Sequence, residues 1–419
     1  MKLELIREID RVYVFKSDKL AGTLTRTEQG SIFEYDLGYR ESRVQIENVD
    51  VSKVDSVAFS MPLSNSSFTV SGDNLHPFFA GLLPEGRRIK RIVTVLKTSS
   101  DDMFSLLAAS GKDCIGDVYV SLTQYSEFQG VGYEVENINS VLFNDLFEKS
   151  ISSENYAVRL QDSSVPGVNP KISAEMISFP LSVKKRNKRY ILKLGLEKFP
   201  KLIENEHFFM QMARACGVNA APTKIVMDKA GNHGLLVERF DRLYDKYTKK
   251  IISIHQEDAC QFLNRYPQDK YRLSMRDIAS GIETFSTAPV LEIGKLIALK
   301  AFSYIIANGD LHSKNISLLS DLTTGRVVLS PAYDLVSTLP YGDQQMALDF
   351  EGRRDNLKLR DFISFGEAFS VREQAVRSIL NRLLKQVAPW IKRIPQIGLG
   401  KKQTDFLQRK ASERMTDLA

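Results

Sequence analysis

Cysteine is scarce in this 419-residue chain: Cys114, Cys216 and Cys260 stand far apart, with no Cys-x-x-Cys pair. That spacing excludes a disulfide scaffold, a zinc ribbon and a dithiol redox motif. The five histidines (His76, His207, His233, His255, His312) show no metal-ligand spacing and no His-Glu-x-x-His, which removes the zinc hydrolases. Neither a Gly-x-Ser-x-Gly elbow nor a Gly-x4-Gly-Lys-Ser/Thr loop is present, so α/β-hydrolases and P-loop nucleotide hydrolases are excluded too. Long apolar runs are also missing. Where a signal peptide needs an apolar core, the start carries Glu4, Arg7, Glu8, Asp10 and Arg11, and no stretch of about 18 apolar residues escapes a charge. A soluble, cytoplasmic protein without membrane association is the expectation.

What is present is the makeup of a globular protein, 43% hydrophobic and 26% charged. At about 150 residues per domain the length allows two or three units. The net charge of +6 is a mild excess that permits contact with phosphate or nucleic acid without requiring it. Short strand-like runs open the chain at Val12–Phe15, Phe33–Leu37 and Val57–Met61, between polar clusters rich in turn formers. Residues Pro77 to Leu107 then switch to helical spacing around a Pro84-Glu85-Gly86 break, so a β-rich module with helices is expected to end near Ser110. A strand is predicted within Cys114–Leu122, and a loop-rich connection over Thr123–Ser153. Strands at Met176–Val183 and Tyr190–Leu194 follow, then a helix over Glu204–Cys216 closed by Gly217, then strands at Thr223–Met227 and Gly234–Glu238. Beyond Gln256 the pattern is mostly helical, interrupted over Asn308–Ser337. The apolar segment Leu291–Gly309, broken by Glu292, Lys295 and Lys300, suits a buried helix, and Thr404–Met415 an exposed one.

The interruption carries the chemistry. Asp310-Leu311-His312-Ser313-Lys314-Asn315 has the Asp-x4-Asn spacing of a kinase catalytic loop, and Asp334 follows one hairpin later. Phosphoryl transfer from ATP needs a carboxylate to position the acceptor, a side chain to hold magnesium, and a second carboxylate on the metal. Taken singly, Asp310 reads as a turn cap, Asn315 as a loop residue, and His312 as either a core histidine or an orienting donor. Upstream, Lys193 lies inside the apolar run Tyr190–Leu194, where an ammonium must meet an anion or reach water. Glu206 is its candidate partner, although an exposed helix glutamate is the plainer reading. Residues 166–171, Pro166-Gly167-Val168-Asn169-Pro170-Lys171, form a candidate phosphate loop. Val237-Glu238-Arg239-Phe240-Asp241-Arg242 reads as an adenine hinge, or else as a strand end with a surface Arg–Asp pair.

Taken in order, Ser164-x-x-Gly167-x-x-x-Lys171, Tyr190-Ile191-Leu192-Lys193, Asn205-Glu206, Val237 to Arg242, Gln256-Glu257-Asp258, Asp310-x-His312-x-Lys314-Asn315 and Tyr333-Asp334 resemble the HipA family, serine/threonine kinase toxins of bacterial toxin-antitoxin pairs. Leu82-Leu83-Pro84 and Gly111 to Gly116 extend the resemblance over nearly the whole chain. It implies ATP and Mg2+ as cofactors, with Asp310 as base and Asn315 and Asp334 on the metal. Lys193 would meet the α- and β-phosphates, residues 166–171 the phosphates, and Glu238, Arg239 and Phe240 the adenine. His312, Ser313, Lys314 and Tyr333 would complete the nucleotide site. The resemblance further implies autophosphorylation on Ser164, with Ser163 as a second candidate, and a translation component such as an aminoacyl-tRNA synthetase as substrate. A HipB-like helix-turn-helix antitoxin would be the partner, with operator DNA approached mainly through it. Leu311, where glycine is frequent, and Asn169, often glutamine, depart from the pattern.

The expected fold is therefore α+β: an N-terminal β-rich module over 1–110, a strand-rich nucleotide-binding part over 111–245, and a helical C-terminal lobe with the catalytic loop over 246–419. The strand-rich part and the all-helical lobe would form a bilobal protein-kinase-like core. A small-molecule phosphotransferase on the same core and a catalytically idle corepressor are the competing functions.

Overall fold

The computed structural model describes residues 3–44, 55–72, 74–125, 133–151, 177–183, 187–321 and 324–419. Apolar residues at alternate positions place Val12, Val14, Leu24 and Phe33 on the inner face of a meander of β1 (Arg11–Lys16), β2 (Lys19–Thr27) and β3 (Gly30–Tyr35). After α1 (Leu37–Val44) comes β4 (Ser67–Ser71), which pairs with β3. The helices α2 (Pro77–Gly81), α3 (Gly86–Leu96) and α4 (Met103–Ser110) lead to β5 (Val118–Ser121). β5 returns to β1 and completes an antiparallel sheet of order β4-β3-β2-β1-β5. The sheet of the N-terminal module thus extends past the boundary expected at 110.

Two other expectations for this unit differ from the structure. Val57–Met61 is a buried series of turns, not a strand. Its ends are held by one side chain: the Tyr35 hydroxyl accepts from Val57 N at 2.8 Å and donates to Met61 O at 2.6 Å, while Glu257 accepts from Phe59 N, so an apolar run can be buried here without a ladder. The strand expected over Phe33–Leu37 ends at Tyr35, and Leu37 opens α1.

The second unit is a sheet of order β6-β7-β8-β10-β9. Its strands are β6 (Tyr133–Val135), β7 (Ile177–Val183), β8 (Arg189–Leu194), β9 (Thr223–Met227) and β10 (His233–Glu238). β6 runs parallel to β7, and the other pairs are antiparallel. α5 (Phe143–Ile151) packs Phe143, Leu146 and Phe147 on one face beside Leu236, whereas α6 (Leu202–Ala215) packs on the other beside Leu235 and Val237. The stretch expected to be a loop over Thr123–Ser153 therefore contains β6 and α5, whose apolar spacing is concealed by Asn144, Asp145, Glu148 and Lys149 between the buried positions.

The third part begins with a ribbon of β11 (Arg242–Tyr244) and β12 (Ile251–Ser253) and continues through β13 (His255–Asp258) and α7 (Ala259–Phe262). Then come α8 (Met275–Phe285), α9 (Pro289–Ile305), β14 (Ser317–Asp321) and β15 (Arg326–Leu329). The chain ends with α10 (Leu359–Ala368), α11 (Glu373–Ile391) and α12 (Lys401–Leu418). The lobe is helical but not wholly so, because β13, β14 and β15 form a sheet. α12 is also less exposed than its charges suggest. Thr404, Leu407, Ala411, Arg414 and Leu418 form one buried face, and the Arg414 guanidinium donates to Tyr304 O and to Asp355, both at 2.7 Å. Among the described residues no helix is long and apolar enough to cross a membrane.

The N-terminal module is joined to the core by buried charge and by aromatic packing. Asp117 binds Lys16 at 3.1 Å and His255 at 2.7 Å, and the other nitrogen of His255 lies 2.9 Å from Glu257. Glu257 accepts from Phe59 N at 2.6 Å, and the Phe59 ring stacks on Phe285 of α8 at 5.0 Å.

Candidate active site

Lys193 sits on β8, fully enclosed, and its ammonium meets two carboxylates, Glu206 of α6 at 2.6 Å and Asp334. Burial opposes its charge, but the pull of Asp334 and Glu206 prevails and holds it above the ordinary lysine range. One ammonium is shared between two acids, and burial raises Glu206, the wholly enclosed one, above the usual carboxylate range against the pull of Lys193. The exposed reading of Glu206 is thus replaced by a buried ion pair. Asp334 adopts left-handed backbone, φ +57°, a conformation that side-chain-bearing residues adopt only under local constraint and that Asp tolerates better than most. Its second oxygen accepts from Asn315 Nδ2 at 3.1 Å.

Asp310 follows α9 and is held from both sides: Asn308 Oδ1 accepts from its backbone N at 3.1 Å, and the Tyr271 hydroxyl donates to its carboxylate at 2.8 Å. The preceding Gly309 is required by space, since a Cβ there would lie 2.6 Å from Gln345 O and 2.7 Å from Thr338 Oγ1. Leu311, the departure from the family pattern, is buried in the main apolar core and fastens the loop from beneath. His312 is buried, its ring edge-on to Tyr271 at 5.2 Å, and among the described residues neither ring nitrogen has a hydrogen-bond partner. Burial and then Lys270 push its pKa down to about 3, so the imidazole is neutral at physiological pH. Ser313 faces inward, its hydroxyl 3.0 Å from Lys270 O and from Cys260 Sγ.

A cleft of about 280 Å³ separates the strand-rich part from the helical lobe. Lys193, Asp334, Phe240, Tyr333 and Lys314 line it, and the rings of Phe240 and Tyr333 are 5.8 Å apart. A smaller adjoining cavity of about 180 Å³ brings together Asp310, His312, Lys314, Asn315, Glu206 and Asp334. The distant residues singled out in the sequence therefore converge. Residues 163–171, with Ser163, Ser164, Pro166, Gly167, Val168, Asn169, Pro170 and Lys171, lie outside the described residues.

The hinge differs from a surface ion pair. Arg239, Asp241 and Arg242 are buried. Arg239 binds Asp113 and Asp241, each at 2.8 Å, while Arg242 binds Asp241 at 2.8 Å and Gly116 O at 2.6 Å. Burial would raise Asp241, but Arg239 and Arg242 hold it down to about 2. The Arg239 guanidinium thus fixes the hinge against the Asp113–Gly116 loop. The amides of Glu238 and Arg239 donate to Pro222 O and Arg189 O, both at 2.8 Å.

Sequence reasoning missed several residues at the site. Glu85, from the N-terminal module, reaches both cavities and binds Lys270 at 2.8 Å and Lys314 of the Asp310–Asn315 loop at 3.1 Å. The second carboxylate on Lys314 is Asp258, at 3.2 Å. Glu85 directly follows the Leu82-Leu83-Pro84 motif, which was its available signal. Tyr271 had none, being an isolated tyrosine in a polar stretch.

A strand lysine, a helix glutamate and an Asp-x4-Asn loop around a cleft between two lobes define a kinase-like core, here carrying a β-rich N-terminal module. The chain belongs to the HipA family: the HipA-like C-terminal domain matches residues 163–391 and the HipA N-terminal domain residues 12–121. It is 28% identical over 402 residues to the protein named "Putative kinase Y4mE" of Sinorhizobium fredii, with 91% of each chain covered. It is 25% identical over 345 residues to the serine/threonine-protein kinase toxin HipA of Shewanella oneidensis, covering 76% of this chain and 77% of that one. Among solved structures, HipA in the Shewanella oneidensis complex of HipA, HipB and operator DNA has the same fold, with a TM-score of 0.67 at 19% identity over 97% of this chain and 96% of that one.

Proposed function

We propose that this protein is a serine/threonine-protein kinase that transfers the γ-phosphoryl group of ATP. The observation that carries the reading is the Lys193–Glu206–Asp334–Asn315 chain of contacts beside Asp310. Lys193, kept charged by two acids, orients the α- and β-phosphates. The Phe240 and Tyr333 rings flank the base beside Glu238 and Arg239. Asp310, aimed by Tyr271 and Asn308, accepts or orients the proton of the attacking hydroxyl. Neutral His312 and the pinned backbone of Ser313 keep the loop in register, and Lys314 ties it to Glu85 and Asp258 at the edge of the nucleotide site.

Magnesium fits this donor set. Asp334 offers a partly open carboxylate and Asn315 an amide oxygen, hard ligands of the kind Mg2+ combines with substrate phosphate oxygens. When bound, the ion neutralises charge on the phosphates.

Membership of the family supports the finer reading. The substrate is a translation component such as an aminoacyl-tRNA synthetase, Ser164 is the autophosphorylated residue, and a HipB-like antitoxin is the partner through which operator DNA is approached. A phosphate on Ser164 would place a dianion near the residues that hold the nucleotide's phosphates, which opposes ATP binding. The division into units over 1–110, 111–245 and 246–419 belongs to the same proposal.

Incubation with labelled ATP tests the reading. Phosphate is expected on the protein itself, and Asp310→Asn should lower the rate by at least about a hundredfold while antitoxin binding is retained. Unchanged labelling in that variant overturns the assignment of the base. Label on a metabolite and on no protein would favour a small-molecule phosphotransferase.

A further inference from the structure

Among the described residues, six carboxylates and four cations line the nucleotide cleft, so the described wall offers an incoming polyphosphate little positive charge to spare. Three of the cations are already paired: Lys193 with Glu206 and Asp334, Arg239 with Asp113 and Asp241, and Lys314 with Glu85 and Asp258. The fourth is Arg88, in the first turn of α3 and three residues after Glu85. Among the described residues its buried Nε has no hydrogen-bond partner and no carboxylate lies within ion-pair distance. Asp113, the acid that acts on it most strongly, is held by Arg239 and Arg242. The side chain as a whole is half-buried, but a guanidinium nitrogen enclosed without an acceptor is costly, and the fixed fork of donors matches phosphate oxygens better than any neutral group in the cleft.

Resting on the nucleotide-binding reading above, we propose that Arg88 is a phosphate-binding residue of the nucleotide site, supplied by the N-terminal module. The module is then part of the site and not only a neighbour of it. Glu85 positions α3 by binding Lys270 and Lys314, and Arg88, on the same end of that helix, donates to the phosphate chain of the bound nucleotide.

The test is titration calorimetry of the full chain with Mg-ADP and with adenosine, on the wild type, Arg88→Ala and Arg88→Lys. Arg88→Ala should weaken Mg-ADP binding by about tenfold or more, the loss expected for a charge-assisted hydrogen bond, and leave adenosine binding unchanged. Arg88→Lys should recover part of the loss, since it keeps the charge and loses the fork. Equal Mg-ADP affinity in wild type and Arg88→Ala overturns the proposal while leaving the nucleotide site intact. An equal loss for adenosine and Mg-ADP also overturns it, by assigning Arg88 to the base side or to the shape of the cleft. Absence of Mg-ADP binding in the wild type overturns the nucleotide reading itself, and this inference with it.

Discussion

At the residue scale the site depends on a lysine that would be untenable alone. Lys193 is enclosed within a strand, and two acids share its proton-bearing end. Removing one partner of a buried pair leaves uncompensated charge, at a cost of about 3 kcal/mol. Lys193→Met should therefore abolish phosphoryl transfer and also lower stability by about that amount, because Glu206 then remains buried opposite Asp334. The double variant Lys193→Met/Glu206→Gln should regain most of the stability and none of the activity. Denaturant unfolding and ATP labelling read the two effects separately, and a double variant no more stable than the single would show that the pair is uncoupled. The pair was half legible in the sequence. An ammonium inside the run Tyr190–Leu194 announced an anion, but a lone glutamate on a helix carries no mark of burial. Asp310 and Asn315 were legible through their spacing. Tyr271 was not, because it arrives at the site from a segment whose local pattern has no relation to it, and Glu85 was marked only by the Leu82-Leu83-Pro84 motif that it follows.

At the element scale, α9 shows how a helix that leads into the Asp310–Asn315 loop tolerates charge in its core. Lys300 is buried, 3.3 Å from Leu348 O and over the Phe350 ring, and burial pushes its pKa down to about 7 against the pull of Asp349. In the unfolded chain a lysine titrates near pH 10.4. Between about pH 7 and 10 the unfolded state therefore holds a proton that the folded state lacks, so stability rises with pH through this window. Below pH 7 both states are protonated, and the folded one bears the buried charge. Lys300→Met should accordingly stabilise the protein most near pH 6.5, with its advantage shrinking by about pH 9.5. Unfolding in denaturant at several pH values measures this, and an advantage independent of pH would refute it. Helices with an apolar stripe, such as α6 and α9, were legible because burial imposes a period. Val57–Met61 was not, since the groups that hold its backbone, the Tyr35 hydroxyl and the Glu257 carboxylate, come from 22 and 198 residues away. α12 was misjudged because Arg414, a charged residue, is the anchor of its buried face.

At the scale of the whole molecule, modules in one chain are expected to move and unfold independently when their interface is polar and small. Here the junction is polar but buried. Lys16, Asp117, His255 and Glu257 are almost wholly enclosed, Phe59 enters the main core, and Arg239 and Arg242 bind the Asp113–Gly116 loop. Separating the N-terminal module would expose these groups unpaired, which costs more than the module's own small core can offset. We therefore expect one cooperative transition. Trp390 of α11, the single tryptophan, reports on the helical lobe, and hydrogen exchange of β1, β2 and β3 reports on the N-terminal sheet. Both should give the same midpoint in denaturant. Asp117→Ala strips the carboxylate from Lys16 and His255, and should lower the two midpoints together by an equal amount. A fall confined to the exchange of β1–β3, with the Trp390 transition unmoved, would mean that the modules fold separately, and the wall that carries Glu85 and Arg88 would then be free to leave the cleft.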